Sequence, residues 1–360
     1  MTSTDLSDRA FPVRPGEALD AERLAAYLRT HIPGLSGDLV IEQFPAGFSN
    51  LTYLLRMGER EMVLRRPPFG ANIRGGHDMA REARVLQGLS AVYPKVPRPL
   101  VLCDDETVIG APFYVMERVR GVVLRPNLPP ALRATLTPDT MRRVCLAFID
   151  TLAELHALDY RAAGLGDLGK PEGYVARQVA GWTRRYHAAR TDDIPAMEAV
   201  ARWLADHLPP EGDASLIHND FRYDNCIVDP ADLTQIRAIL DWEMATLGDP
   251  LSDVGTTLAY WAEPGDPEPL RQFGLTTLPG NLNRQGFVEH YAARTGRDVS
   301  PILFHFVYGL FKNAVIIQQI YYRYRQGHTQ DPRFADLLTL VHVSADLATR
   351  AMAKGRISDL

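Results

Sequence analysis

This 360-residue chain has few cysteines, few lysines and no long apolar run. Its three cysteines are scattered, and no Cys-x-x-Cys pair occurs, so the sequence predicts neither a disulfide framework nor a thiolate zinc site. No apolar run approaches the roughly 18 residues that a membrane-spanning helix needs. The first residues carry acidic side chains and lack the apolar segment of a signal peptide. We therefore expect a cytoplasmic protein with no membrane partner.

The overall charge is small and negative. The 39 basic and 44 acidic residues give a net charge of −5, which offers no attraction to a nucleic-acid backbone. We therefore expect no nucleic-acid partner. Only four of the basic residues are lysines and 35 are arginines. A functional site that needs a cation must therefore draw mostly on arginine.

The hydrophobic pattern changes character along the chain. Asp20 precedes a helical pattern, and apolar runs typical of strands follow it up to about residue 65. After Gly121 the pattern is mostly helical. At roughly 150 residues per domain, the length predicts about two lobes. The prediction is an α+β fold with a small β-rich N-lobe over residues 1–117, which holds one or two helices, and a larger, mainly helical C-lobe over residues 118–360.

A group of polar residues follows two short apolar segments in the second half of the chain. The first segment leads into His218, Asp220 and Asn225, and the second leads into Asp241. Phosphoryl transfer needs a carboxylate that accepts the hydroxyl proton and oxygen ligands that hold Mg²⁺. The spacing of Asp220 and Asn225 equals that of the kinase catalytic loop H-x-D-x-x-x-x-N. One such residue alone would be typical of a turn cap or a buried polar contact, but four at these intervals favour function.

Several further motifs carry a resemblance to one enzyme family. They are the run LDWEMATLGDPLSD from Leu240 to Asp253, the pairs Gly173-Tyr174 and Arg177-Gln178 with Trp182, and Gly309-Leu310-Phe311. The chain resembles the aminoglycoside phosphotransferase family of the protein-kinase-like fold, and in particular the branch that is fused to acyl-CoA dehydrogenases in animals and free-standing in bacteria. The resemblance extends from about residue 39 to about residue 325 and implies a bilobal protein-kinase-like fold.

The resemblance implies a role for each polar residue of the group. Asp220 takes the place of the catalytic base, Asn225 and Asp241 take the places of the metal ligands, and His218 matches the loop histidine that braces the loop. The implied activity is a kinase that uses ATP or GTP with Mg²⁺ and phosphorylates a hydroxyl of a small molecule. One departure stands beside His218, because Asn219 occupies the position of the family's glycine. Asparagine tolerates left-handed backbone angles better than other non-glycine residues, so we expect the loop to keep its shape.

The motifs that predict nucleotide binding are less specific than those of the catalytic loop. The candidate phosphate-covering loop contains Gly47, Phe48, Ser49 and Asn50, between two predicted strands. Backbone N–H groups of such a loop can contact phosphate oxygens. An ordinary glycine-bearing hairpin turn has the same pattern, and only the family context favours the nucleotide-binding interpretation.

A kinase also needs a cation on its third strand to bind the phosphates. No lysine precedes Lys95, so the candidate is Arg65, and arginine can bind phosphate with two N–H groups. Glu82 is the expected ion-pair partner of Arg65, although a solvated helix acid is the alternative. The backbone from Glu117 to Val119 is expected to contact the adenine.

The residues that would bind the hydroxyl acceptor are the ones that the sequence predicts least specifically. Arg177 and Trp182 lie on a predicted basic and aromatic helix, which suits an anionic acceptor such as a hydroxyacyl-CoA better than a cationic aminoglycoside; a solvated basic helix face is an equally good interpretation. Glu243 follows Asp241 by two residues, so on an extended strand both side chains would point to the same side. Glu243 would then support a second metal ion or mark a solvated strand end.

Three other functions remain open at this point. A nucleotide-binding pseudokinase is suggested by the arginine at position 65 and by Asn219, and a true aminoglycoside kinase by the wider family. A hydrolase with Asp220 and Asp241 as paired carboxylates is the third, but it leaves Asn225 and Arg65 without roles.

Overall fold

The computed structural model describes residues 8–45, 50–69, 78–272, 274–327 and 332–360. They form two compact units. The first unit contains the described residues up to Val123 together with Arg161–Leu165 and Cys226–Ala245, and the second contains Leu124–Tyr160, Gly166–Asn225 and Thr246–Leu360. Each unit therefore consists of several segments that are separate in the sequence. The division of the chain into an N-lobe and a C-lobe between residues 117 and 118 stays a prediction.

The first unit is built around antiparallel strands. Its elements are α1 (Ala21–His31), β1 (Leu39–Gln43), β2 (Leu51–Met57), β3 (Arg60–Arg66), α2 (Met79–Ser90), β4 (Pro99–Cys103), β5 (Phe113–Glu117) and β6 (Val122–Val123). Five strands form one antiparallel sheet in the order β1-β2-β3-β5-β4. Its buried core includes Leu28, Tyr53, Leu64 and Phe113. Arg65 on β3 pairs with Tyr114 on the neighbouring strand β5.

The second unit is mainly helical. In chain order the remaining elements of the protein are α3 (Pro130–Arg133), α4 (Pro138–His156), α5 (Tyr174–Ala189), α6 (Pro195–Asp206), β7 (Ser215–Ile217), β8 (Cys226–Val228), β9 (Ile236–Ile239), β10 (Thr246–Gly248), α7 (Pro250–Tyr260), α8 (Glu268–Arg271), α9 (Arg284–Thr295), α10 (Ile302–Arg325) and α11 (Leu337–Lys354). Strands β8 and β9 belong to the first unit, where they form a three-stranded antiparallel sheet with β6. Strand β7 pairs antiparallel with β10 inside the second unit. The predicted α+β class, with a small β-rich part and a larger helical part, is confirmed.

Helix ends follow the sequence signals closely. The side chains of Asp20 and Asp78 accept hydrogen bonds from the backbone N–H groups of Arg23 and Arg81, so each aspartate caps its helix. Asp249 caps α7 in the same way, and Pro250 occupies the first helical position. Short polar side chains and a residue with a fixed φ thus determine where these helices begin.

The crossing of α7 and α10 depends on two glycines. A Cβ atom on Gly255 would lie 2.1 Å from the carbonyl oxygen of His305, and one on Gly309 would lie 2.3 Å from the carbonyl oxygen of Gly255. Only glycine lets the two backbones approach this closely.

Within the described residues, no helix combines the length and the apolar character that crossing a membrane requires.

Candidate active site

The predicted catalytic loop, residues 216–225, begins within the buried strand β7 (Ser215–Ile217). His218 is fully buried, and its Nδ1 accepts the backbone N–H of Asp220 at 3.2 Å. Asp253 on α7 accepts the backbone N–H groups of His218 at 2.6 Å and Asn219 at 2.7 Å. Burial opposes the ionisation of Asp253, but the hydrogen bond from His156 and the nearby N–H groups keep the pKa of this carboxyl below its ordinary value. An ionised Asp253 therefore holds the start of the loop.

Asn219 adopts the left-handed conformation expected of it, with a φ of 66°. Its side chain is buried and exchanges hydrogen-bond contacts of 3.3 to 3.4 Å with the hydroxyl of Tyr174 on α5. The Nζ atom of Lys312 on α10 donates to the backbone oxygen of Asn219 at 2.9 Å and to its Oδ1 at 3.3 Å. The asparagine at the position of the family's glycine is thus fixed by two neighbouring helices.

Asp220 and Asn225 lie side by side, as their spacing predicts. The amide Nδ2 of Asn225 donates to the backbone oxygen of Asp220 at 2.8 Å and to its Oδ2 at 2.9 Å. The other carboxylate oxygen, Oδ1, lies 3.3 Å from Nε of Arg222, which also contacts Asp224. The side chain of Asp220 remains 20% exposed, so an oriented carboxylate is open to a small molecule.

A second polar cluster surrounds Arg65 in the first unit. Its guanidinium donates to Glu82 at 2.7 Å and to Asp241 at 2.8 Å, and Glu243 lies 4.0 Å away. Burial acts against the charge of Arg65, but Glu82 and Asp241 raise the pKa of the guanidinium above its ordinary value. The predicted pairing of Arg65 with Glu82 is therefore present as a buried ion pair that also holds Asp241.

The segment after β9 differs from the expectation of an extended strand. Asp241 adopts a left-handed conformation with a φ of 67°, and a 3-10 turn, Trp242–Met244, follows it. Trp242 explains the turn, because its backbone N–H donates to Glu82 at 3.2 Å and its indole N–H donates to the carbonyl of Ile239 at 2.9 Å. The extended geometry inferred for Glu243 was wrong, although Glu243 and Asp241 do lie near the same guanidinium.

Other predicted nucleotide-binding residues occupy different positions in the first unit. Gly47, Phe48 and Ser49 lie outside the described residues. Asn50 is buried, and its amide donates to Glu243 at 2.6 Å. The backbone N–H of Glu117 donates to the carbonyl of Arg98, and Val119 packs against the apolar cluster of Val123, Ile227 and Ala238. A contact of Glu117 or Val119 with adenine stays a prediction.

The predicted acceptor residues on α5 have structural partners. Arg177 donates to the backbone carbonyls of Lys170 and Glu172, in the segment that leads into the helix. Trp182 is buried, its indole N–H donates to Gln178, and the guanidinium of Arg185 lies 4.4 Å from the centre of the Trp182 ring. Binding of the acceptor by Arg177 and Trp182 stays a prediction.

Two of the residues that hold the loop received no such role from the sequence. Asp253 was expected to be structural, with bracing of the loop as a possible role, whereas Tyr174 appeared only as part of a family motif. Lys312 is one of four lysines and directly follows Gly309-Leu310-Phe311 in an apolar helix. The available signal was a charged residue in the apolar part of this helix, well before the arginines of its last turn.

The chemistry of the predicted metal ligands fits Mg²⁺. Asp241 offers a carboxylate whose side chain is 30% exposed. The amide nitrogen of Asn225 donates to Asp220, so the amide oxygen of Asn225 is the atom that would bind a cation. Hard oxygen ligands of this kind, few in number and completed by phosphate and water, are typical of Mg²⁺. No group of three His, Cys, Asp or Glu side chains suited to a metal occurs in the part of the chain that the structure describes.

Comparison with known proteins agrees with this geometry. The model of the APH phosphotransferase enzyme family matches residues 40–287. The chain belongs to this family. A crystal structure from Ralstonia eutropha, assigned as an aminoglycoside phosphotransferase, is 31% identical, has a TM-score of 0.77 and matches 92% of this chain and 99% of its own. Choline kinase from Cryptosporidium parvum, with 12% identity and a TM-score of 0.65 over 93% of this chain and 96% of its own, shares the kinase-like fold.

Two animal proteins are also similar to this phosphotransferase family member. Acyl-CoA dehydrogenase family member 10 of Mus musculus is 35% identical over 94% of this chain. Acyl-CoA dehydrogenase family member 11 of Gallus gallus is 38% identical over 88% of this chain. The matches cover 31% and 41% of those proteins, so the chain spans only about a third to two fifths of their length. The resemblance to this branch of the family is confirmed.

Proposed function

We propose that this protein transfers the γ-phosphoryl group of ATP, with Mg²⁺, to a hydroxyl of a small anionic metabolite. The observation that carries the proposal is the orientation of Asp220, whose carboxylate contacts Asn225 and Arg222 on a loop held by Asp253. A base held in this way fits phosphoryl transfer, in which catalysis depends on positioning and electrostatics. Family membership supports small-molecule phosphotransfer in general.

The residues of both polar clusters would have distinct roles in the reaction. Asp220 would accept the proton of the acceptor hydroxyl and orient its oxygen toward the phosphorus. Arg65 would contact the phosphates of the nucleotide, with Glu82 keeping its guanidinium in place. Asn225 and Asp241 would hold Mg²⁺, which neutralises phosphate charge when it is bound.

The proposed acceptor class is a hydroxyacyl-CoA or a similar anionic hydroxy compound. The animal relatives are named acyl-CoA dehydrogenase family members, which supports an acceptor linked to coenzyme A. A small cavity of about 20 Å³, with room for about one water molecule, lies against the loop. Its lining includes Arg222 and Asp224 with the rings of Tyr223, Tyr260 and Trp261. The proposed acceptor class therefore rests on the relatives and not on the size of this cavity.

The decisive experiment measures Mg²⁺-dependent consumption of ATP and of GTP. Wild-type protein, Asp220→Asn and the control Asp229→Asn would each be tested with hydroxyacyl-CoAs, sugar phosphates and aminoglycosides. Asp229 is a turn carboxylate that pairs with Arg237 in the first unit and has no place in the proposed mechanism. We expect an acceptor-stimulated rate in wild type and Asp229→Asn, and a loss of about a hundredfold to ten-thousandfold in Asp220→Asn.

The outcomes separate the candidate functions. Stimulation by a hydroxyacyl-CoA supports the full proposal, whereas stimulation only by aminoglycosides would make the protein an antibiotic kinase. Hygromycin B is bound by one aminoglycoside phosphotransferase of the same fold, so that class belongs in the panel. Equal rates in wild type and Asp220→Asn would contradict the role of Asp220.

One observation favours a second candidate, a nucleotide-binding protein without turnover. Arg65 replaces the usual lysine, and its guanidinium donates to Asp241, the same carboxylate that would hold Mg²⁺. If this pairing blocks the metal, Mg·ATP would bind weakly and no acceptor would stimulate its hydrolysis. Titration of Mg·ATP into wild type and Arg65→Lys tests this alternative, because the lysine variant would then gain both Mg²⁺ dependence and turnover.

A further inference from the structure

Lys312 is the only one of the four lysines that is buried. Its side chain is 1% exposed, whereas Lys170 and Lys354 are exposed and Lys95 is half-buried. It lies in the middle of α10, surrounded by apolar neighbours along the helix. Removing an ammonium group from water is costly, so a lysine is retained at such a position only if its contacts compensate.

The contacts of Lys312 converge on one peptide unit of the catalytic loop. Its Nζ donates to the backbone oxygen of Asn219 at 2.9 Å and to the side-chain Oδ1 of the same residue at 3.3 Å. The peptide plane that contains this backbone oxygen also contains the nitrogen of Asp220. A lysine bound to one edge of that plane therefore restricts the backbone from which the Asp220 side chain extends.

The charge environment explains why an ammonium group can remain here. Burial and the nearby charge of Arg185 lower the pKa of Lys312, whereas Asp220 and Asp253 raise it, and the net result is a pKa of about 8. At neutral pH the side chain is therefore mostly charged. Its positive charge acts on the two carboxylates of the loop region, one of which is the proposed base.

We propose that Lys312 is a positioning residue for Asp220. Lys312 fixes the Asn219–Asp220 peptide and keeps a positive charge near the proposed base. The inference rests on the proposed function, in which Asp220 accepts the acceptor proton. It also explains the asparagine at position 219, because a glycine there would lack the Oδ1 atom that Lys312 and Tyr174 contact.

A matched control exists on the same helix. Gln318 is fully buried, six residues after Lys312, and its amide donates to the carbonyl of Ala189 at 3.0 Å and to the hydroxyl of Thr191 at 2.8 Å. Lys312→Met and Gln318→Met each remove a buried side-chain hydrogen bond from α10. Only the first removes a contact with the catalytic loop.

The first test compares the kinetics of the two variants with the wild type, using the best acceptor. We expect Lys312→Met to lower kcat by about tenfold to a hundredfold, as small errors in the position of a catalytic group do, with the KM for ATP within about twofold. Gln318→Met should lower Tm to a similar extent and leave kcat within about twofold. Equal losses of kcat in the two variants would reduce Lys312 to a structural role and overturn the proposal.

The second test does not depend on turnover. Hydrogen–deuterium exchange of the peptide that contains residues 216–225 should be at least about tenfold faster in Lys312→Met than in wild type, and unchanged in Gln318→Met. Unchanged exchange in both variants would overturn the proposal even if no acceptor is found. Faster exchange without any turnover in wild type would support the positioning role while contradicting the proposed kinase function.

A further variant covers the case in which Lys312→Met does not fold. Lys312→Gln keeps an N–H donor for the carbonyl of Asn219 but lacks the positive charge. We expect its loop exchange to stay close to that of the wild type while kcat falls. A wild-type kcat in Lys312→Gln would contradict the proposed role of the charge.

Discussion

At the scale of single residues, Arg65 has the most consequential set of contacts. Its guanidinium joins Glu82, which is almost fully buried, to Asp241, which is partly exposed. A buried carboxylate that loses its partner keeps the full cost of its desolvation. The same arginine is therefore important for stability as well as for the proposed contact with phosphate.

The first prediction concerns this arginine. Arg65→Met should destabilise the protein by about 3–5 kcal/mol, because Glu82 would be left buried without its cation. Arg65→Lys keeps the charge but cannot span both carboxylates in the same way, so it should cost less. Urea unfolding of both variants measures the difference, and equal stability of Arg65→Met and wild type would show that Glu82 is neutral in the folded protein.

The second prediction concerns His305, a buried residue of α10. Burial lowers the pKa of this imidazole to about 4, against the opposing charge of Asp249. The unfolded chain binds a proton below pH 6.5, whereas the folded protein does so only near pH 4, so stability should fall as the pH drops between these values. The loss should approach about 3 kcal/mol. Urea unfolding at pH 7 and pH 4.5 measures it, and His305→Gln should show a smaller pH dependence than the wild type.

At the scale of elements, the sequence signals that acted locally were reliable. The sequence predicts a helix after Asp20, and the aspartates at positions 20, 78 and 249 each cap a helix, since capping needs only neighbouring backbone groups. The turn at Trp242–Met244 was not predictable, because it depends on a hydrogen bond to Glu82, which is 160 residues away in the chain. The same reason explains why Lys312 received no role, as its partner Asn219 is 93 residues away.

The third prediction concerns the crossing of α7 and α10. Gly309→Ala should destabilise the protein by about 1–3 kcal/mol, since the added Cβ would lie 2.3 Å from the carbonyl oxygen of Gly255. The control is Gly181→Ala in the middle of α5, where the nearest atom to an added Cβ is 3.9 Å away. That change should stabilise the protein by about 0.5–1 kcal/mol through helix propensity. Thermal unfolding measures the change in stability of each variant. An equal change in stability for Gly309→Ala and Gly181→Ala would contradict the close approach of the helices.

At the scale of the whole molecule, a buried ionic cluster connects Ile357 and Ser358 to other parts of the second unit. Arg284 is 1% exposed, pairs with Asp266 and Glu263, and donates to the carbonyl of Ile357. Glu263 in turn accepts the hydroxyl of Ser358 at 2.7 Å. Three segments that are distant in the sequence are thus held by one guanidinium.

The fourth prediction follows from this cluster. Arg284→Met should destabilise the protein by about 3–5 kcal/mol, because two acidic side chains would remain in a buried environment without their cation. It should also release Ile357 and Ser358, so that hydrogen–deuterium exchange of the peptide that contains residues 355–360 is faster than in wild type. Arg294→Met is the control, because Arg294 lies on the same helix but pairs with Asp150 on an exposed surface. Similar exchange in both variants would contradict the anchoring role of Arg284.

The burial of Lys312 also gives the protein an internal chemical reporter. Amine-reactive reagents modify the neutral form of accessible lysines, and three of the four lysines are exposed or half-buried. In the folded protein an acylating label should therefore reach Lys95, Lys170 and Lys354 but not Lys312. The chain has only four lysines, so few other side chains compete for the label. The rate at which label appears at Lys312 in a mass spectrum would therefore measure how often the segment that holds the proposed base opens.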